Sequence, residues 1–260
     1  MGGGVFRSAL DAWCARAPFY CQFPPRHVEG LSKLDRLVAV APDHSWAYVR
    51  IPKAANSAVT ATLERETFRV GHVKSLSSRR ARRRFLRPSQ LDRRAAEALG
   101  GSGFIFTVVR NPYHRILSAY LDKFCEGRRS PRHYRRRYGP SIRRFDSAGA
   151  LSFQAFCRWL EEAGGWAVNG HWLPQTRIIE GIGFGRLDAV GRVENLDADL
   201  AAITARLRAG GEAPQIAAEV GPVQTGASSR CAMYYDAETR AIVRRLYARD
   251  FELLGYAPDD

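Results

Sequence analysis

The chain has 260 residues, 45% of them apolar, and a formal net charge of +14. That length suits one α/β domain or two small ones, and the apolar share excludes general disorder. No apolar run approaches the roughly 18 residues of a membrane span; the first residues carry neither a secretory h-region nor a myristoylation pattern, so a soluble, cytoplasmic protein is expected.

Residues 1–36 read as a lead-in that packs on the domain, with Trp13, Phe19, Tyr20 and Phe23 among prolines. Leu37 to Ala41 and Trp46 to Ile51 read as strands split by the turn Pro42-Asp43-His44. A helix is predicted from Ser57 to Glu66, a short strand from Phe68 to Val73, and a helix opened by Pro88 and closed by Gly100-Gly101. Phe104 to Val109 is the clearest buried strand, and Asn111-Pro112 caps the next helix. The stretch from Glu126 to Gly149 is basic and aperiodic and reads as a long loop. Then come a helix over Leu151 to Glu162, an irregular segment around His171, a strand over Asp188 to Val193 and a helix over Asn195 to Arg208. Gly210 to Arg230 reads as a loop, and Asp236 to Asp250 as a last amphipathic helix. Strands alternating with helices predict an α/β fold with a central parallel sheet flanked by helices, as one domain over residues 37–260.

Five cysteines are scattered without a C-x-x-C pair and read as free thiols. No His/Cys/Asp cluster has metal-ligand spacing, so no metal is expected. The basic excess is concentrated: eight arginines lie between Arg79 and Arg94 and eight between Arg128 and Arg144. Such a field attracts anions, from phosphorylated cofactors and acidic glycans to an anionic membrane surface touched peripherally. Few aromatics interleave, and no nucleic-acid module is present, so no nucleic acid is expected as partner.

Two segments carry the chemistry. In the first, a strand ends at Ile51, Pro52 stiffens the turn, Lys53 follows, and Ala54-Ala55-Asn56-Ser57 lead into a helix. An anion there would meet helix N–H groups, the helix dipole and a point charge. The loop lacks the glycines of a Walker A loop, and its lysine comes first rather than last. In the second, Arg110 stands at the end of a buried strand and Ser118 two helical turns on, a forked donor and a hydroxyl suited to a phosphate. Either segment alone is more often a plain turn. Together they suit a ligand with two anionic groups at the carboxyl ends of parallel strands.

Ile-Pro-Lys followed by Val-Arg-Asn-Pro-x-x-Arg-x-x-Ser-Ala-Tyr resembles the PAPS-dependent sulfotransferase family, in its carbohydrate (Golgi-type) branch and that branch's bacterial relatives. Further likenesses follow in order: Leu121-Asp122-Lys123-Phe124, His171-Trp172-Leu173-Pro174-Gln175, Gly191 to Leu196, and Asp250 to Tyr256. The first loop departs from the family, with Ala-Ala-Asn-Ser where Gly, Cys or Thr is usual, and Asn111 stands where Asp or Glu is common. The resemblance implies a P-loop-like three-layer fold. It implies in-line sulfuryl transfer from PAPS to an acceptor hydroxyl, with adenosine 3′,5′-bisphosphate (PAP) released and no metal. It places the 5′-phosphosulfate on the Lys53 to Ser57 loop and the 3′-phosphate on Arg110 and Ser118, with Arg230 as a further contact. The base is sought in His72 first and His171 second; Glu64 and Glu66 read as solvated. The acceptor implied is a carbohydrate or glycoconjugate, and the arginine-rich stretches suit one that is already acidic. Two alternatives stay open: a P-loop-type small-molecule kinase, which would need Mg²⁺ ligands and a glycine-rich loop, and a non-enzymatic polyanion- or nucleic-acid-binding protein.

Overall fold

The computed structural model describes residues 9–26, 30–68, 84–125, 131–208 and 226–258. In chain order its longer elements begin with helices α1 (Ala9–Ala15), α2 (Pro18–Gln22) and α3 (Leu31–Asp35), then strands β1 (Val38–Val40) and β2 (Trp46–Val49). Next come α4 (Asn56–Phe68), α5 (Arg93–Ser102), β3 (Phe104–Val109), α6 (Pro112–Lys123), α7 (Pro131–Arg143) and α8 (Phe153–Glu162). The chain finishes with α9 (Gln175–Gly181), β4 (Ala189–Arg192), α10 (Leu196–Leu207), α11 (Ala227–Tyr234), α12 (Ala237–Leu246) and α13 (Ala248–Leu254). Two compact units result: residues 1–109 with 177–222, and residues 110–176 with 223–260.

The first unit holds a four-stranded sheet in the order β1-β2-β3-β4. β2, β3 and β4 are parallel, as the alternation of strands and helices predicts, and β1 adds an antiparallel edge through a hairpin. In the hairpin turn Asp43 accepts from the amide and hydroxyl of Ser45, at 3.1 and 2.7 Å, and this local bond sets the reversal. Trp46, Tyr48, Phe106 and Val108 pack with Val59 and Leu63 of α4 and with Leu200 and Ile203 of α10. Tyr48 stacks on Phe106 with ring centroids 5.2 Å apart. The alternate residues Ala47, Val49, Ile105 and Val109 are buried too. A parallel sheet covered on both faces explains why these strands read as continuous apolar runs. The buried carboxylates of the lead-in are satisfied: Asp11 accepts from the amides of Gly30 and Ser32, and Asp35 from the Tyr20 hydroxyl and from Ser89.

The second unit is helical. Its core is aromatic, with Tyr120, Phe124, Phe156, Trp159 and Trp172 packed together. The indole of Trp172, buried completely, donates to the Gly165 carbonyl at 2.7 Å. A Cβ at Gly165 would stand 2.6 Å from the Trp159 ring, so that position needs glycine for the close approach.

Several predicted elements are corrected. The basic stretch read as a loop contains helix α7. Tyr134, Tyr138 and Ile142, four residues apart, pack into or against the aromatic core and hold it as a helix, and arginine is itself a good helix former. The basic, aperiodic composition had pointed the other way. The end of the stretch read as a loop before Arg230 is helix α11. The last helix is two, α12 and α13, meeting at Tyr247. Phe68 ends α4 instead of opening a strand, and residues 69–73 lie outside the described residues. All five cysteines are free. Among the described residues no helix is long and apolar enough to cross a membrane.

Candidate functional site

The first junction follows β2. Ile51, Pro52 and Ala54 are buried, and the amide of Ala54 donates to the Ile51 carbonyl at 3.2 Å, which closes a tight turn. The turn carries Lys53 at φ 71° and Ala55 at φ 47°, both left-handed. Non-glycine residues enter that region rarely, at a cost of order 1 kcal/mol or more. The loop thus takes up left-handed backbone without a glycine. Alternation of right- and left-handed backbone turns successive N–H groups toward one side, the arrangement that binds anions. The first i to i−4 bond of α4 runs from the Val59 amide to the Ala55 carbonyl, 3.1 Å. The amides before it belong to the turn that a helix leaves for other partners.

The second junction follows β3, the parallel neighbour of β2, so both chains leave the sheet at one edge. Asn111 caps α6: its side chain accepts from the amides of Tyr113 and His114. The main chain of Arg110 is held from both sides by one side chain. The Gln175 amide donates to the Arg110 carbonyl at 2.8 Å and accepts from the Arg110 N–H at 3.0 Å. The Arg110 guanidinium donates to the Ser228 hydroxyl at 3.2 Å. Ser118 is buried within α6. Arg115 is buried completely and donates to the Gly170 carbonyl at 3.2 Å. Burial pulls its guanidinium below the ordinary arginine range; the charge of Asp250 opposes that shift, while Arg110 adds to it.

Asp250, also buried, accepts from the Gln175 amide (2.8 Å), the Thr176 amide (2.9 Å) and the Thr176 hydroxyl (2.7 Å). It therefore caps α9 from 75 residues away. The Tyr247 hydroxyl donates to the Trp172 carbonyl at 2.5 Å. The Arg-Asn-Pro, His-Trp-Leu-Pro-Gln and Asp-Phe segments, separate in the sequence, thus form one network in the second unit.

The other candidates divide. His171 lies half-buried in the turn before α9; its amide donates to the Asn169 side chain at 3.0 Å, and its ring is 5.8 Å from that of Tyr134. Arg230 sits on α11, not on a loop, exposed, with its guanidinium 5.7 Å from the Tyr234 ring. His72 lies outside the described residues. The reading of Glu64 and Glu66 as solvated is overturned. Glu64 is buried and paired with Arg84 at 3.2 Å, and Glu66 pairs with Arg208, because the chain after α4 and the end of α10 bring arginines onto this helix. Among the described residues no group of acidic, His and Cys side chains could hold a metal.

A model of the sulfotransferase family matches residues 36–257. The chain belongs to that family. It is 36% identical over 104 residues to carbohydrate sulfotransferase 14 of Homo sapiens, covering 37% of this chain and 26% of that protein. It is 30% identical over 179 residues to carbohydrate sulfotransferase 10 of Gallus gallus, covering 60% and 48%. A third relative, carbohydrate sulfotransferase 14 of Danio rerio, is 29% identical over 205 residues, covering 71% and 53%. The chain thus spans between about a quarter and about half of these relatives' lengths. No solved structure matches it.

Within this chain, the motif residues fall into two kinds. Lys53 and Arg110 stand at junctions that follow β2 and β3; Gln175 and Asp250 are buried and act on the main chain. Sequence reasoning quoted the last two only as members of matching segments, and passed over Ser228. The in-order match was the signal for Gln175 and Asp250, and nothing in the sequence marked Ser228, whose contact with Arg110 spans 118 residues.

Proposed function

We propose that the protein is a PAPS-dependent O-sulfotransferase acting on a hydroxyl of a carbohydrate or glycoconjugate. The observation that carries this reading is the family match over residues 36–257, which takes in both the Lys53 and the Arg110 segments. Their donor sets fit an anionic, two-ended donor: an ammonium, a guanidinium fork and serine hydroxyls are what phosphate and sulfate oxygens accept from. The left-handed Lys53 and Ala55 add a backbone cradle of the kind anions occupy. The family match favours this reading over a kinase or a polyanion-binding protein.

PAPS, when bound, supplies the sulfuryl group on a phosphate leaving group. Lys53, with the Ala55 to Ser57 amides at the start of α4, binds the 5′ anion and offsets charge at its bridging oxygen. Arg110 and Ser118 bind the 3′-phosphate; Arg230 is on the same helix as Ser228, which already meets the Arg110 fork. Proton acceptance from the acceptor hydroxyl falls to His72 or His171. Exposed arginines of α7, among them Arg132, Arg136 and Arg137, suit steering of an acidic acceptor.

Thermal stability followed during titration with PAP and, separately, with ATP tests the donor. PAP should raise the melting temperature of the wild type, and Arg110→Ala should abolish the shift. No shift from PAP sinks the proposal, and a shift from ATP alone turns it toward a kinase. Lys53→Ala should lower turnover by about 10²–10³ and weaken PAP as well, because PAP keeps the 5′-phosphate that Lys53 meets. Of His72→Ala and His171→Ala, only the variant lacking the base should lose about 10²–10⁴ in kcat and flatten the acid limb of the pH profile.

A further inference from the structure

We propose that Gln175, itself fixed by Asp250, is a positioning residue that sets the Arg110 main chain so that its guanidinium stands ready for the 3′-phosphate; this rests on the donor reading above. Arg110 comes after the last β3 residue and before the Asn111 cap of α6. At such a point the backbone N–H and C=O have neither a sheet ladder nor a helix of their own to satisfy them. The Gln175 side chain takes both, at 3.0 and 2.8 Å. A carboxamide presents one acceptor and one donor side by side, as a neighbouring strand would. Two bonds to one residue fix the peptide planes on both sides of the Arg110 Cα, and with them the direction of its Cβ.

The clamp is anchored in turn. Gln175 is buried completely, and its own amide is held by Asp250 at 2.8 Å. Thr176 holds the other carboxylate oxygen through both amide and hydroxyl. Three residues earlier, the Trp172 carbonyl accepts from Tyr247. The turn that carries Gln175 is tied at both ends. At the far end of the arginine, Ser228 receives the fork at 3.2 Å. Arg110 is therefore constrained at its backbone and at its tip. A long side chain held this way loses little rotamer freedom when an anion binds, and affinity rises accordingly. Simple satisfaction of buried backbone groups would demand the two bonds but predicts no effect on the ligand beyond general stability.

The test is calorimetric titration of the full chain with PAP, below the melting temperature of each variant. Gln175→Leu, close in size but unable to make either bond, should raise the PAP Kd at least tenfold and leave the acceptor KM unchanged. Gln175→Asn keeps the amide but is one methylene short; it should recover part of the affinity, and it serves if the leucine variant does not fold. Thr176→Val removes one bond to Asp250 without touching Arg110. It should lower the melting temperature yet keep Kd within twofold. Wild-type affinity in Gln175→Leu, or in Gln175→Asn where leucine does not fold, overturns the inference. Equal weakening by Thr176→Val overturns it as well. If the wild type does not bind PAP, or Arg110→Ala binds it as well as wild type, the donor reading itself is wrong and the inference falls with it.

Discussion

After β2 the chain makes its proposed anion loop from its own backbone, over six residues, with Lys53 and Ala55 held left-handed. After β3 it makes the second from side chains that arrive 65 and 118 residues later, Gln175 on the Arg110 main chain and Ser228 on its fork. The first device is local and strained; the second is distributed and held by side-chain hydrogen bonds. A strained loop carries its cost in two dihedrals and depends on tight packing of Ala54 and Ile51 beneath it. A distributed clamp needs no left-handed residue, but it depends on side chains that only the tertiary fold brings to it.

The comparison can be broken most sharply at Asp250. Asp250→Ala leaves three donors without their acceptor and removes the charge that favours buried Arg115. A loss of about 3–5 kcal/mol is expected in denaturant unfolding; a loss below about 1 kcal/mol would show that the clamp is not distributed at all. The strain is tested at position 55. Ala55→Val should cost about 1–2 kcal/mol, because a branched side chain tolerates φ 47° worse. Ala55→Gly should stay within about 1 kcal/mol of wild type, since relief of strain offsets the added freedom of the unfolded chain. If valine costs no more than glycine, the loop is not strained.

The smallest effect belongs to a device that is local yet unstrained. Asp236 caps α12, accepting from the Thr239 amide at 2.8 Å and the Thr239 hydroxyl at 2.7 Å. The amide bond, then the hydroxyl bond, hold its carboxyl below the ordinary carboxylate range. Asp236→Ala should cost about 1 kcal/mol at neutral pH. Because the folded value is the lower one, that contribution is whole above the unfolded value of about 3.9 and is lost as pH falls through the folded value. The melting-temperature gap between wild type and variant should hold from pH 7 to about 5 and narrow below about 4. A gap that widens on acidification would contradict the cap.

Much of the fold was legible because its signals are short-range. A buried parallel strand is a run of apolar residues, as at Phe104 to Val109, and a helix start is an Asn-Pro, as at 111–112. Helix α7 was not legible, since its apolar stripe of Tyr134, Tyr138 and Ile142 is outnumbered by arginines and makes sense only against the aromatic core. Glu64 and Glu66 were misread for a related reason: a carboxylate on a helix looks solvated until distant arginines are placed beside it.

By itself the sequence determined the α/β alternation, the family, and the two residues at the strand ends, Lys53 and Arg110. These are properties of consecutive residues and of motif order. The tertiary structure alone decided that Lys53 and Ala55 are left-handed, that Gln175 grips the Arg110 main chain, and that Asp250 holds Gln175. The reason is physical. A backbone group left unsatisfied at a strand end can be met by any side chain the fold brings to it, and which one arrives is set by packing, not by proximity in the chain.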